Sequence, residues 1–142
     1  MMRPFFDTNV LVYAFDEGEP EKRAVSLGLI QEHLEQGEGM LSVQVLREFY
    51  VSARRLSHPL SEAEAEDALG NFAEFSLATE DWRAVVGAVR RSRELMLSFW
   101  DALILEAAIR GGADTLLTED LQHGQRIESL RVENPFLEAE QG

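Results

Sequence analysis

The chain has 142 residues, the size of one ordinary domain, and 45% are hydrophobic, enough for a buried core and too many for a disordered segment. Thirteen basic against 26 acidic residues leave a formal net charge of −13, so the chain as a whole repels nucleic acids and anionic membrane surfaces. There is no cysteine, which excludes disulfides, thiol nucleophiles and cysteine-ligated zinc, and His33, His58 and His123 form no His-x-x-x-His pair.

The uncharged run at residues 8–15 falls far short of a membrane span, and the first seven residues lack the apolar region of a secretion signal. These features predict a cytoplasmic protein with no membrane contact. One domain is expected over residues 1–137, followed by a frayed acidic tail at residues 138–142.

Short apolar runs alternate with longer amphipathic ones, which predicts strands alternating with helices around a mostly parallel sheet. Phe5 and Phe6 open a short strand ending near Asp7, and residues 9–15 read as a brief helical turn. Residues 19–35 put Ala24, Leu27, Ile30 and Leu34 on one helical stripe, stopped by Gly37 and Gly39. Met40 and Leu41 begin a second strand, and Ser42 caps a helix to about Arg55. Ser61 and Glu64 have capping-box spacing ahead of a helix to about Phe75. Residues 76–78 form a third strand, and Thr79 is the expected cap of a helix to about Glu94. Ser98 opens a strongly apolar helix that ends at Gly111 and Gly112. Residues 115–117 and 130–132 complete the strands.

Most acidic residues are expected on solvated faces, so the informative ones break a local pattern. Asp7 closes a strand, and open α/β sheets bind ligands beyond the carboxyl ends of their strands. An aspartate there also suits a simple cap of the next turn. Asp101 is the strongest signal. On its helical wheel Glu106 lies about 140° and Arg110 about 180° away, while Ile104, Leu105 and Ala108 are its neighbours. A carboxylate on an apolar face is costly without a partner, although Ser98-x-x-Asp101 also has capping-box spacing. Asp120 follows the strand at 115–117, where a polar loop is the plain alternative. Glu48 lies roughly 120° from the centre of its helix's apolar stripe, and the wheel does not separate it from a solvated face.

Taken in order, Asp7, Glu48, Asp101 and Asp120 resemble the acidic set of a PIN domain, and more narrowly of VapC-like toxins from type II toxin–antitoxin pairs. The likeness rests first on Phe6-Asp7-Thr8-Asn9-Val10-Leu11-Val12-Tyr13 and Arg47-Glu48-Phe49. It continues with Phe99-Trp100-Asp101-Ala102-Leu103-Ile104, Leu117-Thr118-Glu119-Asp120-Leu121 and Asn134-Pro135-Phe136, and so spans nearly the whole chain. The resemblance implies an α/β fold in three layers, α/β/α, with a central five-stranded parallel sheet. It implies a metal-dependent endoribonuclease that hydrolyses single-stranded RNA phosphodiesters with Mg²⁺ or Mn²⁺. On that likeness Asp7, Glu48, Asp101 and Asp120 are the catalytic, metal-binding acids, and Asn9 and Thr118 support them. Glu119 adjoins Asp120, and either of the two can face the ion. A homodimer and a cognate antitoxin that blocks the cleft are implied as well. The helix at residues 47–56 and the segment around Phe72 and Phe75 are their candidate contact surfaces, though core packing explains these equally well.

Electrostatics makes the same demand for a cation. Two carboxylates 4 Å apart repel by about 4 kcal/mol at an effective dielectric of 20. Oxygen ligands without cysteine or clustered histidine select hard ions such as Mg²⁺ or Mn²⁺. Each such ion inverts the local field, which offsets the acidic balance of the chain where it matters. Arg55, two helical turns after Glu48, is the candidate phosphate-binding residue. Arg90, Arg91 and Arg93 form a denser basic cluster, better read as a complement to a helix dipole.

Two rivals fail on residues. A haloacid-dehalogenase-like phosphatase needs a second aspartate where Asn9 stands, and a receiver-like domain needs a late lysine, whereas Lys22 is the only lysine. A PIN-fold scaffold or antitoxin/RNA-binding protein without useful turnover, and a DNA-directed nuclease, remain as alternatives.

Overall fold

A computed structural model describes residues 2–138; Met1 and residues 139–142, most of the expected acidic tail, lie outside the described residues. Among the described residues six strands form one sheet: β1 (Pro4–Phe6), β2 (Met40–Ser42), β3 (Ser76–Ala78), β4 (Thr115–Leu117), β5 (Arg126–Ile127) and β6 (Leu130–Glu133). Their order is β3-β2-β1-β4-β6-β5, and every pair is parallel except β5 with β6. The expected five parallel strands are therefore joined by a sixth, antiparallel one. Two residues are too few to show a period-2 pattern, and the β5–β6 reversal is made at Glu128, at φ 55°, with no glycine to signal it.

Strands covered by helices on both faces are mostly continuous apolar runs, and the central β1, β2 and β4 follow the rule, buried along their whole length. Phe5, Phe6, Leu41, Leu116 and Leu117 are all fully buried. The covering helices are α1 (Thr8–Tyr13), α2 (Pro20–Gln36), α3 (Val43–Ala53), α4 (Glu62–Phe72), α5 (Trp82–Leu95) and α6 (Phe99–Arg110). α6 packs on β2 and β3 and carries α5 on its outside; α1 packs on α2 and α3, and α3 on α4. Ser42, Ser61 and Ser98 cap their helices as the spacing predicts, Ser61 through a complete capping box. Among the described residues no helix is long and apolar enough to cross a membrane.

Three local expectations change. α5 is capped by Asp81 rather than Thr79, its carboxylate accepting from the backbone N–H groups of Arg83 (2.9 Å) and Ala84 (3.3 Å). A charged acceptor suits a helix N-terminus better than a hydroxyl two residues earlier. α2 buries Ser26 and His33 rather than a stripe through Ala24 and Leu27, which stay exposed. Phe72 and Phe75 are core residues, not contact surfaces: Phe72 stacks edge-on against Phe49 at 5.0 Å, and Phe75 lies 5.3 Å from Phe6.

Glu106 is the main departure from the helical wheel. Placed by periodicity on the outward polar side of α6, it is instead 5% exposed at the seam with α5. Its carboxylate accepts from Arg91 Nε at 2.6 Å and Arg110 Nε at 2.7 Å, and Arg91 reaches on to Glu128 at 3.2 Å. Arg91 therefore works as a structural cation, with no role left for it in phosphate binding. Gly87 on α5 makes the room, because a Cβ there would stand 2.7 Å from Glu106 Cδ.

Gly28 supplies a matched control, with nothing within 4 Å of its missing Cβ. Gly28→Ala is expected to raise stability by about 0.5–1 kcal/mol, since alanine restricts the unfolded chain and favours helix. Gly87→Ala is expected to lower it by about 1–3 kcal/mol despite the same propensity gain, by forcing Glu106 off its arginines. Thermal melting of the two variants checks the pair. Equal and positive shifts would remove the role assigned to Gly87.

Candidate active site

β2 and β3 extend the sheet to one side of β1 and β4 lies on the other, so the direction of strand succession reverses between β1 and β4. Open α/β sheets bind ligands outside the carboxyl ends of strands at such a point. Asp7 is the first residue beyond β1, and Thr118 the first beyond β4. The backbone N–H of Asp7 donates to the carbonyl of Leu117 (3.0 Å), which ties the two exits together.

Asp7 is both a cap and a site residue. One carboxylate oxygen accepts from the N–H of Thr8 (2.7 Å), and the other accepts from the Thr118 hydroxyl (2.8 Å). Asn9, one residue into α1, spans the same gap. Its amide donates to Asp120 Oδ2 (3.0 Å) and Thr118 Oγ1 (3.3 Å), and its carbonyl oxygen accepts from the N–H of Glu119 (3.4 Å). An aspartate in place of Asn9 would repel Asp120 instead of holding it.

Glu48 arrives from α3. Its Oε2 accepts from the Thr8 hydroxyl (2.8 Å) and its Oε1 from the amide of Gln44 (2.9 Å). A cleft of about 400 Å³ is lined by Thr8, Asn9, Glu48 and Asp120, together with Val12, Tyr13, Asp16 and Ser52. Asp101, half-buried in the first turn of α6, has its N–H capped by Ser98 Oγ (3.1 Å). It does not line that cleft, but its charge acts on both Asp7 and Asp120.

The adjacent acids separate cleanly. Glu119 is drawn off by the Tyr13 hydroxyl (2.6 Å) and the Lys22 ammonium (3.1 Å), whereas Asp120 lines the cleft. Burial and the acceptor Glu119 push the Tyr13 hydroxyl up to about 12, so it remains a donor at any ordinary pH. Arg55 lies exposed in the turn after α3, which stops at Ala53, and is not among the residues lining the cleft.

The electrostatics are those of buried acids that also feel one another's charge. Burial pushes Asp7 up to about 7, with Asp120 and Asp101 adding to the rise against the hydrogen bonds from Thr118 and Thr8. Asp120 is also raised, by burial first and then by Asp101, Glu119 and Glu48, with Asn9 opposing. Among the described residues no three carboxylates or imidazoles stand close enough, as placed, to hold one ion. The donor chemistry nevertheless fits a hard divalent cation. Each oxygen of Asp7 and Glu48 takes one hydrogen bond and keeps a second lone pair, and their common repulsion favours a positive guest.

Sequence reading missed Thr8, Gln44, Asp16 and Ser52. Gln44 had a legible signal, since it precedes Glu48 by four residues and so shares its helix face. The others depend on how α1 turns over the sheet.

The sequence profile described as PIN domain matches residues 5–126. The chain belongs to the PIN domain family. Its fold is also that of chains in three solved complexes. They are VapBC2 from Rickettsia felis bound to a DNA fragment from their promoter (TM-score 0.66, 19% identity, 94% of this chain and 98% of that one), a toxin–antitoxin complex from Klebsiella pneumoniae (0.66, 21%, 93% and 97%), and DNA-bound VapBC from Salmonella typhimurium (0.65, 19%, 95% and 99%). No curated protein sequence matches the chain.

The raised Asp7 of this PIN domain has a consequence for stability. Its folded value of about 7 lies above the ordinary 3.8, so its contribution is fully present below about pH 4 and is lost as pH rises through 7. In chelator, wild type should lose roughly 2–4 kcal/mol more than Asp7→Asn between pH 4 and pH 8. Melting curves of both proteins across that range are the check, and parallel pH profiles would contradict it.

Proposed function

We propose that this PIN domain is a divalent-metal-dependent endoribonuclease acting on single-stranded RNA, and the toxin of a VapBC-type pair. One observation supports the reading: the carboxylates of Asp7, Glu48 and Asp120, from three remote segments, are held by neutral donors beyond the carboxyl edge of the sheet, with the charge of Asp101 acting on Asp7 and Asp120. PIN domains are nucleases, and the fold likeness to VapBC chains supports a toxin's role and a cognate antitoxin.

Asp7, Glu48, Asp101 and Asp120 would hold Mg²⁺ or Mn²⁺. Such an ion supplies a water of lowered pKa and neutralises charge on the phosphate. The remaining work belongs to the chain. Thr8, Asn9, Gln44 and Thr118 fix the carboxylates without cancelling their charge. Tyr13 and Lys22 keep Glu119 out of the cleft, which spares an incoming phosphate one more negative neighbour. Arg55, exposed in the turn after α3, is the residue assigned to contact a phosphate along the strand. A homodimer is the assembly proposed, with the exposed Val43, Tyr50 and Val51 of α3 available to a second copy or to the antitoxin.

The test is cleavage of a panel of single-stranded and structured RNAs with Mn²⁺, with single-stranded DNA alongside. Wild type is expected to cut RNA, chelator to stop it, and Asp101→Asn or Asp120→Asn to lower kcat by about 100-fold or more. Saturating Mn²⁺ should also raise the melting temperature of wild type and do so less for Asp7→Asn. Arg55→Ala should raise KM and flatten the salt dependence, leaving kcat unchanged. Failure of any RNA to be cut in a metal-dependent way returns the molecule to the scaffold reading, and preferential cutting of DNA moves it to a DNA-directed nuclease.

A further inference from the structure

Gln44 stands at the first turn of α3 and is 6% exposed. Its amide nitrogen makes two contacts, to Glu48 Oε1 at 2.9 Å within the helix and to the carbonyl of Trp100 at 3.3 Å across to α6. Trp100 is the residue immediately before Asp101. One primary amide therefore bridges the helix carrying Glu48 and the helix carrying Asp101, at the residues next to both acids.

The other end of the side chain is anomalous. Gln44 Oε1 is buried without a hydrogen-bond partner among the described residues. A buried carbonyl left unpaired is unfavourable, and an apolar side chain of the same length would avoid that penalty. The orientation is nonetheless forced. Turning the amide over would aim its oxygen at a carboxylate and a carbonyl, two acceptors, so the nitrogen must face Glu48 and Trp100. The orphan oxygen is the consequence of presenting two N–H groups to the site.

The charge state of the donor matters as much as its place. A lysine or arginine at this position would neutralise Glu48 and compete with a cation for it, and a glutamate would push it away. An amide orients the carboxylate and leaves its charge available. Thr8 does the same at the other oxygen, so both oxygens of Glu48 are oriented by uncharged groups.

We propose that Gln44 is a positioning residue which sets Glu48 against Asp101 for cation binding by spanning α3 and the start of α6. The inference rests on the metal-nuclease reading and deepens it. Groups of this kind behind a metal ligand change affinity or activity by 10–100-fold in general. Gln44→Met keeps the length and removes the donors, and Gln44→Asn keeps the amide and withdraws it by one methylene.

The experiment compares full-length wild type with both variants in three readouts: Mn²⁺ affinity by calorimetry, kcat and KM on the same RNA, and melting temperature in chelator. Both variants are expected to bind Mn²⁺ about 10-fold or more weakly and to lose about 10–100-fold in kcat, with KM within about twofold of wild type. A second variant keeps the test alive should one fail to fold. Lowered melting temperature with unchanged Mn²⁺ affinity and kcat would show a structural amide only and overturn the proposal. If wild type itself neither binds Mn²⁺ nor cuts RNA, the metal-nuclease reading fails and carries this one with it. If wild type does both and the variants match it, the positioning role alone is wrong.

Discussion

Like charges brought together in a partly dry cleft must be given a reason to stay, and that requirement shapes this protein around its sheet edge. Asp7, Glu48, Asp101 and Asp120 come from positions up to 113 residues apart by their numbering. Left to themselves they would part or protonate, and Asp7 rises to about 7, through burial first and the charges of Asp120 and Asp101 after it. Short hydrogen bonds hold three of the carboxylates in place, and the fold supplies those bonds from rigid exits of neighbouring strands rather than from free loops.

The sheet makes such economy feasible. β1, β2 and β4 are three residues long and buried throughout, so each crossing is short and each exit lands within reach of the next. β1 and β4 are in register from Pro4↔Thr115 to Phe6↔Leu117, which brings Asp7 and Thr118 out of the sheet level with one another. The hydroxyl of Thr118 then serves two acids at once, donating to Asp7 while accepting the backbone N–H of Asp120. Asp101 needs a different support, because it enters on a helix. The seam of Glu106 with Arg91 and Arg110 locks that helix to α5, and Ser98 and Gln44 fix its first turn.

Much of this was legible from the chain. Asp7 and Asp120 were placed by strand exits, and Asp101 by its conflict with an apolar helix face. Helix starts at Ser42, Ser61 and Ser98 were visible because caps are local chemistry. What periodicity missed is non-local. Glu106 lies on the side of α6 that a lone helix would turn to water, but α5 covers that side with a glycine and an arginine, facts that no wheel contains. β5 was invisible because two residues carry no period. Arg55 stands two residues past the end of α3, so the alignment with Glu48 that a longer helix predicts is lost at its C-terminus.

The acids sort by partner type, and the sorting is more informative than their positions. Glu106 is matched by two guanidiniums, and Glu119 by an ammonium and a phenol. Both are thereby neutralised in place, and their job is to join elements. The partners of Asp7, Glu48 and Asp120 at the sheet edge are hydroxyls, amides and backbone N–H groups. A neutral donor orients a carboxylate without meeting its charge, so the charge is left unmatched by these partners. A carboxylate meant for structure alone would be better served by the arginines that this protein places at Glu106. The donor set around the cleft is therefore an argument for an external cation that does not depend on family likeness, and it applies to Gln44 as strongly as to Thr8.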